Sequence, residues 1–227
     1  MEMIEVCLET AQLAEVKDFY HGTLGLALLE EEENSFAVQA GATKLCFVRG
    51  EGNPFYHFAF NIPENKIEEA IEWLDGRVKL LEEEGDTLVF FPHWNAHSIY
   101  FLDPAGNIVE FISRHNLANR REGAFTSQDI LCVSEIGMPV DDVMDTIEKM
   151  QTVLQLPVWR EPTSQFAPLG GEDGLFILVA IGRTWFMSDR AAHAYPLKVT
   201  IKGKRNVQTF VKSYHIKVLE ESSLSLA

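Results

Sequence analysis

The sequence has little positive charge. Only 19 lysine and arginine residues stand against 34 aspartate and glutamate residues, which gives a net charge of -15 at pH 7. A surface of this sign repels phosphate backbones and anionic lipid headgroups. We therefore expect neither nucleic acid nor a membrane among the partners of the protein, and we expect a small-molecule substrate instead.

Cysteine and long apolar runs are also scarce. Cys7, Cys46 and Cys132 are odd in number and lie far apart within apolar stretches, which favours thiols packed in a core over a disulfide framework. No apolar run approaches the ~20 residues of a membrane-spanning helix, and the first residues lack the basic region and apolar segment of a secretion signal. These absences predict a cytoplasmic protein.

Apolar residues make up 46% of the 227 residues, and their spacing predicts alternating strands and helices. Residues 2–10 alternate in polarity, as expected of a strand with one buried face. Apolar residues then recur at helical spacing from Leu13 to Leu24, and Gly25 can end that helix. Three further strands are predicted at 26–32, 35–40 and 44–49. The order of these elements is therefore βαβββ.

The same order is predicted again after residue 54. A strand from Tyr56 to Ile62 and an amphipathic helix from Glu64 to Leu74 precede four strands, near 78–82, 87–91, 97–102 and 108–113. Residues 114–128 lose this rhythm and carry several basic residues. They therefore indicate a linker after the second unit.

A repeat at a fixed offset indicates that the second half of the chain is built like the first. Six residues recur 130 positions later with the same identity: Glu5, Leu24, Leu26, Phe36, Ala37 and Leu45 match Glu135, Leu154, Leu156, Phe166, Ala167 and Leu175. So many matches at one offset favour a structural repeat over chance. A fourth unit begins at Pro196, but the chain ends before a counterpart of residues 97–111. The sequence thus predicts an α+β fold of repeated βαβββ modules, with curled mixed sheets, helices outside and a truncated fourth module.

These patterns divide the chain into three parts. Residues 1–116 are predicted to form paired modules that carry the candidate site, residues 117–129 the linker, and residues 130–227 a degenerate repeat. The repeat keeps Glu135 at the position of Glu5 but has Leu197 or Lys198 in place of His57. We therefore expect no second complete site in this half and interpret it as a scaffold or an interface, and a homodimer stays open.

The candidate site is organised by the turn from Asp103 to Asn107, which joins two apolar strands. Pro104 can preset φ and Gly106 can take a positive φ, so the chain is predicted to turn sharply here. The turn leaves Glu110 in the middle of an apolar strand. A buried carboxylate is costly unless it is paired or bound to a metal, so Glu110 needs a partner.

Two further polar residues lie on apolar strands and could join Glu110. Glu5 lies on the first strand of the first module, and His57 opens the second module. If these two modules curl their sheets together, the three residues converge as one imidazole and two carboxylates, a set suited to a divalent metal. Each residue also has an ordinary alternative. Glu5 could be a solvated carboxylate, His57 a core histidine with a satisfied hydrogen bond, and Glu110 the partner of Arg114 or Lys44.

Two histidines precede the turn and are candidates for acid–base catalysis. His93 and His97 lie where a loop enters the strand before the turn. A neutral histidine there could move a proton or bind a substrate oxygen. We predict both as catalytic residues, and the alternative is that they are histidines of a surface loop.

Three motifs carry a resemblance to a known family: FYHGTLG at 19–25, HFAF at 57–60 and DPAGNIVE at 103–110. They resemble motifs of the vicinal oxygen chelate superfamily, which includes glyoxalase I, extradiol ring-cleaving dioxygenases, and fosfomycin and bleomycin resistance proteins. The resemblance covers residues 1–113 well and residues 130–221 more weakly. It implies the glyoxalase/dioxygenase fold.

The resemblance also implies a function. A metal-dependent enzyme of this kind would use Glu5, His57 and Glu110 to hold one divalent ion that chelates vicinal oxygens of a small substrate. Extradiol dioxygenases have a histidine where this sequence has Glu5, so Mn²⁺, Fe²⁺, Zn²⁺ and Ni²⁺ all stay open. Three activities also stay open: a ring-cleaving dioxygenase, a glyoxalase-like lyase or isomerase, and a non-catalytic protein that binds a small molecule, as drug-sequestering resistance proteins do.

Overall fold

The computed structural model describes residues 1–221 of the chain. Fourteen strands dominate this part: β1 (Met3–Thr10), β2 (Ala27–Glu32), β3 (Ser35–Ala40), β4 (Thr43–Arg49), β5 (His57–Ile62), β6 (Val89–Phe91), β7 (Ala96–Leu102), β8 (Ile108–Arg114), β9 (Cys132–Val140), β10 (Phe166–Gly171), β11 (Gly174–Ala180), β12 (Leu197–Gly203), β13 (Val207–Val211) and β14 (Tyr214–Glu220).

Helices are few and short. They are α1 (Leu13–Lys17), which continues as a π-helical segment (Asp18–Thr23), α2 (Ile67–Leu74), α3 (Val143–Leu154) and one turn of 3₁₀-helix (Ser127–Asp129). The longest of them has 12 residues. Within residues 1–221, no helix has the length and apolar character needed to cross a bilayer.

The strands form two mixed sheets of seven strands each. The first sheet has the order β13-β14-β12-β1-β4-β3-β2, and the second has the order β10-β11-β9-β5-β8-β7-β6. The middle strand of each sheet pairs in parallel with one neighbour and antiparallel with the other. In the first sheet β1 does so with β4 and β12, and in the second sheet β5 does so with β8 and β9. The predicted α+β class with curled mixed sheets is confirmed.

The pairing of the sheets differs from the pairing that the sequence predicted. We expected residues 1–116 to pair among themselves, but β5 pairs with β9, where Phe58 lies opposite Ile136. Likewise β1 pairs with β12, where Val6 lies opposite Val199. Each sheet therefore combines strands from both sides of the segment 117–129. Polarity alternation shows which face of a strand is buried but does not select its edge partner, so the sequence pattern could not distinguish these arrangements.

The core lies between the two sheets, so the strand residues that could form a site are those on the faces that point away from it. Phe58 and Phe60 of β5 pack into this core together with Val6 and Phe47 of the first sheet. Because successive side chains of a strand point to opposite faces, His57, Ala59 and Asn61 lie on the other face of the second sheet.

The turn before β8 is held by an aspartate at its first position. Oδ1 of Asp103 accepts hydrogen bonds from the backbone N–H groups of Ala105 and Asn107, both at 2.9 Å. Oδ2 accepts from the Asn107 side-chain amide at 2.7 Å and from the Tyr20 hydroxyl at 2.9 Å. Gly106 has a φ of 79°, which glycine adopts without strain. Two of the sequence motifs, those at 19–25 and 103–110, therefore meet in one hydrogen-bonded cluster.

The same cluster sets the register of β8. Oδ1 of Asn107 accepts a hydrogen bond from the backbone N–H of Tyr56 at 2.8 Å, and the N–H of Ile108 donates to the carbonyl of Tyr56 at 2.8 Å. In consequence His57 lies opposite Ile108. Glu110 therefore lies two positions further along β8, on the same face of the sheet as His57.

Candidate metal centre and its cavity

Three ionisable side chains meet on the face of the second sheet that points away from the core. Glu110 on β8 and Glu135 on β9 flank Ala59 on β5, which is the register partner of both. The small side chain of Ala59 leaves space between the two carboxylates. With His57, which lies two positions before Ala59, they place one ligand atom each within 4.8 Å of one another, and all three residues are buried.

The imidazole of His57 is held in one orientation. Its Nδ1 lies 3.2 Å from the carbonyl oxygen of Ile108. A carbonyl oxygen only accepts hydrogen bonds, so Nδ1 carries the proton and Nε2 offers its lone pair to the site, 3.5 Å from Oε2 of Glu110. Burial lowers the pKa of His57, which keeps the ring neutral. Metal-binding histidines commonly have this arrangement.

Arg114 forms a buried ion pair with Glu135. Its Nη2 donates to Oε1 of Glu135, and its Nε donates to Oδ1 of Asn61 at 3.1 Å. The Arg114 side chain is fully buried, and its guanidinium carbon lies 5.5 Å from the ring of Trp94 and 5.8 Å from the ring of Trp159. The pair holds Glu135 in place and leaves Oε2 of that carboxylate free of Arg114.

The two carboxylates are costly to keep ionised. Burial and, after it, the charge of Glu110 raise the pKa of Glu135 to about 7, and Arg114 offsets only part of their effect. Burial also raises the pKa of Glu110, against the opposing effects of Ser98 and Arg114. One buried arginine therefore faces two buried carboxylates, and a second source of positive charge would lower the free energy of the ionised pair.

The three residues form part of the wall of a cavity of about 230 Å³. Six aromatic side chains also line it: Phe91, Trp94, Tyr100, Phe166, Trp185 and Phe186. The Trp185 ring centroid lies 5.1 Å from that of His57. Gly137 allows this approach, since a Cβ atom at that position would lie 2.6 Å from Cη2 of Trp185. The segment between β11 and β12 thus covers the site with aromatic surface.

The structure brings together two of the three predicted metal ligands. His57 and Glu110 are adjacent, as predicted, but Glu5 lies on β1 in the other sheet. The Glu5 side chain is 40% exposed, and its Oε1 lies 3.4 Å from Nζ of Lys44. The predicted convergence of Glu5 is therefore corrected: Glu135, its counterpart at the offset of 130, takes the third position because β9 rather than β1 pairs with β5.

The two predicted catalytic histidines lie outside the cavity. His97 is the register partner of Ser113, whereas Tyr100 is the partner of Glu110, so His97 lies on the opposite face of the sheet from Glu110. There its Nδ1 lies 2.7 Å from Nε2 of His115. His93 is exposed in the turn between β6 and β7. The loop was correctly expected near the cavity, but its contribution consists of Phe91 and Trp94.

Sequence reasoning missed several residues of the site. Glu135 stands in β9 (Cys132–Val140), a mainly apolar strand, and gives the same signal as Glu110, a carboxylate in the middle of a strand. Arg114 was considered only as an alternative partner of Glu110. Arg183 and Trp185 follow β11 in a loop without a recognisable motif, and only the three-dimensional structure places them at the cavity. The second half of the chain therefore supplies part of the cavity wall, which the scaffold interpretation did not include.

The chemistry of the three side chains suits one divalent transition metal. An imidazole nitrogen and carboxylate oxygens are ligands for Mn²⁺, Fe²⁺, Zn²⁺ and Ni²⁺. Ligand atoms within 4.8 Å of one another reach bonding distances of about 2.0–2.2 Å from a common ion after side-chain movements of about 1 Å. The backbone contact of His57 and the arginine contact of Glu135 supply the supporting hydrogen bonds that such ligands usually have.

Comparison with family models and with curated protein sequences finds no match. Among solved structures, a candidate dioxygenase from Bacillus subtilis is similar with a TM-score of 0.61 and 13% identity, covering 97% of this chain and 85% of that chain. Glyoxalase I from Zea mays is similar with a TM-score of 0.54 and 17% identity, covering 88% of this chain and 74% of that chain. A mutant of the same enzyme gives 0.57 and 16% identity, covering 88% and 75%.

At these identities the likeness shows the fold. The chain therefore has the fold of the glyoxalase/dioxygenase proteins, which is the fold that the resemblance of its motifs implied. A fold of this kind supports several chemistries, so the activity must be argued from the site.

Proposed function

We propose that this protein is a metal-dependent enzyme of the glyoxalase/dioxygenase type that acts on a small substrate with vicinal oxygens. In this proposal His57, Glu110 and Glu135 hold one divalent ion. The observation that carries it is the group of three buried side chains in the wall of a cavity, with two carboxylates of which Arg114 forms an ion pair with one, Glu135. A cytoplasmic location, expected from the small number and wide spacing of the cysteines, is part of the proposal.

The residues of the site have distinct roles in this proposal. A bound divalent ion supplies a Lewis acid that can accept two neighbouring oxygens of a substrate. His57 presents Nε2 because Ile108 fixes its tautomer, and Arg114 orients Glu135. The aromatic side chains give the cavity an apolar wall, and charge interactions are stronger beside apolar surface than in bulk water.

Proton transfer must be assigned to groups inside the cavity, since His97 lies on the other face of the sheet. Burial raises the pKa values of both Glu110 and Glu135, and the value of about 7 for Glu135 makes that carboxylate suited to take up a proton near neutral pH. Burial raises the pKa of Tyr100, and its hydroxyl therefore stays protonated and can donate a hydrogen bond. Both a lyase or isomerase and a ring-cleaving dioxygenase could use these groups. Oxygen consumption in the presence of a catechol would distinguish the dioxygenase.

A second candidate function is binding without catalysis, as in drug-sequestering proteins. The observation that favours it is the aromatic lining of the cavity by six side chains. The ion pair between Arg114 and Glu135 also shows that part of the buried charge is compensated without a metal. In this case the cavity would bind an apolar compound, and divalent ions would have no effect on stability.

Metal analysis and thermal unfolding test the primary proposal. The purified protein should contain a divalent metal or gain thermal stability from Mn²⁺, Fe²⁺, Zn²⁺ or Ni²⁺, because an ion that binds only the native state stabilises it. His57→Gln and Glu110→Gln should lose this gain, whereas His93→Gln, at an exposed histidine outside the cavity, should keep it. If the purified wild type contains no divalent metal and none of the four ions raises its melting temperature, the metal assignment is wrong and the binding function is favoured.

A further inference from the structure

Arg183 is a cation in the wall of the cavity and has no carboxylate within salt-bridge distance in the described part of the chain. Among the described residues that line the cavity, it is the only arginine or lysine. Within residues 1–221 its guanidinium forms no salt bridge, unlike the guanidinium groups of Arg114, Arg120 and Arg121. Its guanidinium carbon lies 5.5 Å from the ring of Phe166, which also lines the cavity.

The charges around the cavity favour an anionic ligand once a metal is bound. A divalent ion cancels the two carboxylates of Glu110 and Glu135, and His57 is neutral. The charges of Arg114 and Arg183 then remain, so the loaded cavity is positive although the whole chain carries -15. Positive charge beside an apolar wall is most favourable when a bound anion pairs with it.

The size and lining of the cavity limit the rest of the ligand. A cavity of about 150 Å³ is large enough for benzene, and this cavity has about 230 Å³. It therefore has space for one ring with small substituents. Phe91, Trp94, Trp185 and Phe186 offer ring faces and edges on which an aromatic ligand can stack.

We infer that the substrate is a single-ring aromatic carboxylate with two vicinal oxygens, whose carboxylate pairs with Arg183. The inference rests on the proposed function, since the vicinal oxygens would face the ion held by His57, Glu110 and Glu135. Arginine suits this role because its planar guanidinium can donate two parallel hydrogen bonds to a carboxylate. Arg183 is thus a specificity-determining residue, and the second half of the chain contributes both a metal ligand and the substrate's counter-charge.

Calorimetric titration of Mn²⁺-loaded protein with two matched probes tests the inference. The probes are 3,4-dihydroxybenzoate and its methyl ester, which has the same ring and vicinal oxygens without the charge. The wild type should bind the acid more tightly than the ester. Arg183→Met should weaken binding of the acid about 10- to 100-fold and leave binding of the ester nearly unchanged, and Arg183→Lys should lie between the two. Arg160→Met is the matched control, because Arg160 is exposed and lies over the ring of Trp159 outside the cavity.

The outcomes separate this inference from the proposed function. If Arg183→Met binds Mn²⁺ normally and the acid as tightly as the wild type does, or if neither probe binds the loaded wild type, the inference is overturned while the metal site stands. If Mn²⁺ fails to bind the wild type, the proposed function fails. The ratio of acid to ester affinity, measured without metal in the wild type and in Arg183→Met, then still shows whether Arg183 recognises the carboxylate, and an equal ratio in both proteins overturns the inference.

Discussion

Replacing Glu135 by glutamine tests which of two glutamates, at corresponding positions of the sequence repeat, belongs to the proposed metal site. Glu5 and Glu135 occupy corresponding positions at an offset of 130, but only Glu135 lies beside His57 and Glu110. Glu135→Gln keeps the size of the side chain and an oxygen that can accept from Arg114, and it removes the charged ligand. Glu5→Gln is the matched control, because it makes the same chemical change on an exposed side chain in the other sheet.

The expected effect can be estimated from ligand linkage. A metal at 100 times its dissociation constant stabilises the native state by about 2.7 kcal/mol. For a chain of 227 residues, this corresponds to a rise of about 5–10 °C in melting temperature. If loss of the carboxylate weakens binding about 100-fold, the same metal concentration gives only about 0.4 kcal/mol, or about 1 °C. Glu5→Gln should keep the full rise.

The assay is thermal unfolding with and without the metal, and the quantity to compare is the shift rather than the melting temperature itself. Glu135→Gln removes the ion-pair partner of the buried Arg114, so the metal-free variant should melt below the wild type. The reasoning would be refuted if the metal shifted Glu135→Gln as much as the wild type, or if Glu5→Gln lost the shift. Either result would mean that a side chain other than Glu135 is the third metal ligand.

Three further predictions concern pH, the turn and the contact between the sheets. Glu135, with a raised pKa of about 7, must lose its proton to bind a metal, so Mn²⁺ affinity measured by calorimetry should fall about 10-fold from pH 8 to pH 6. Burial lowers the pKa of His57, so the step near pH 7 belongs to Glu135, and Glu135→Gln should show no such step. Four hydrogen bonds reach the Asp103 carboxylate. Tyr20→Phe removes one of them and should lower the free energy of unfolding in urea by about 1 kcal/mol, whereas Asp103→Ala removes all four and should lower it by about 3 kcal/mol. A smaller loss for Asp103→Ala than for Tyr20→Phe would contradict this account of the turn. Gly41→Ala should destabilise the fold by at least about 2 kcal/mol in the same assay, because φ is 57° and the new Cβ would lie 1.9 Å from the carbonyl oxygen of Leu131. Gly52→Ala, with a φ of 73° and no atom within 4 Å of the new Cβ, is its control, and an equal loss in both variants would contradict the steric part of the argument.

Much of the fold could be predicted from local patterns in the sequence. Strand alternation, the amphipathic helix and the turn at 103–107 all depend on neighbouring residues. The structure contains the turn and the helix, which begins at Ile67 rather than at residue 64, whereas the strand predicted near 78–82 is wrong and is only a bridge at Leu80. The most specific motif turned out to be structural, because Asp103 and Asn107 hydrogen-bond to each other, to Tyr20 and to the backbone of Tyr56. These contacts set the register that places Glu110 beside His57, so a motif that holds the backbone also led to two residues of the site.

The third residue of the site could not be predicted in the same way, because its position depends on contacts between strands far apart in sequence. Glu5 and Glu135 have similar local surroundings, each on an alternating strand that opens a module. What separates them is the antiparallel pairing of β5 with β9, which places Glu135 two strands from Glu110 with only Ala59 between them. Arg114 reinforces the difference, since it reaches Glu135 from the end of β8 whereas Glu5 faces Lys44. A site built across a module boundary therefore draws its ligands from both halves of the chain. This makes the second half part of the proposed chemistry, although it lacks a complete set of ligands of its own.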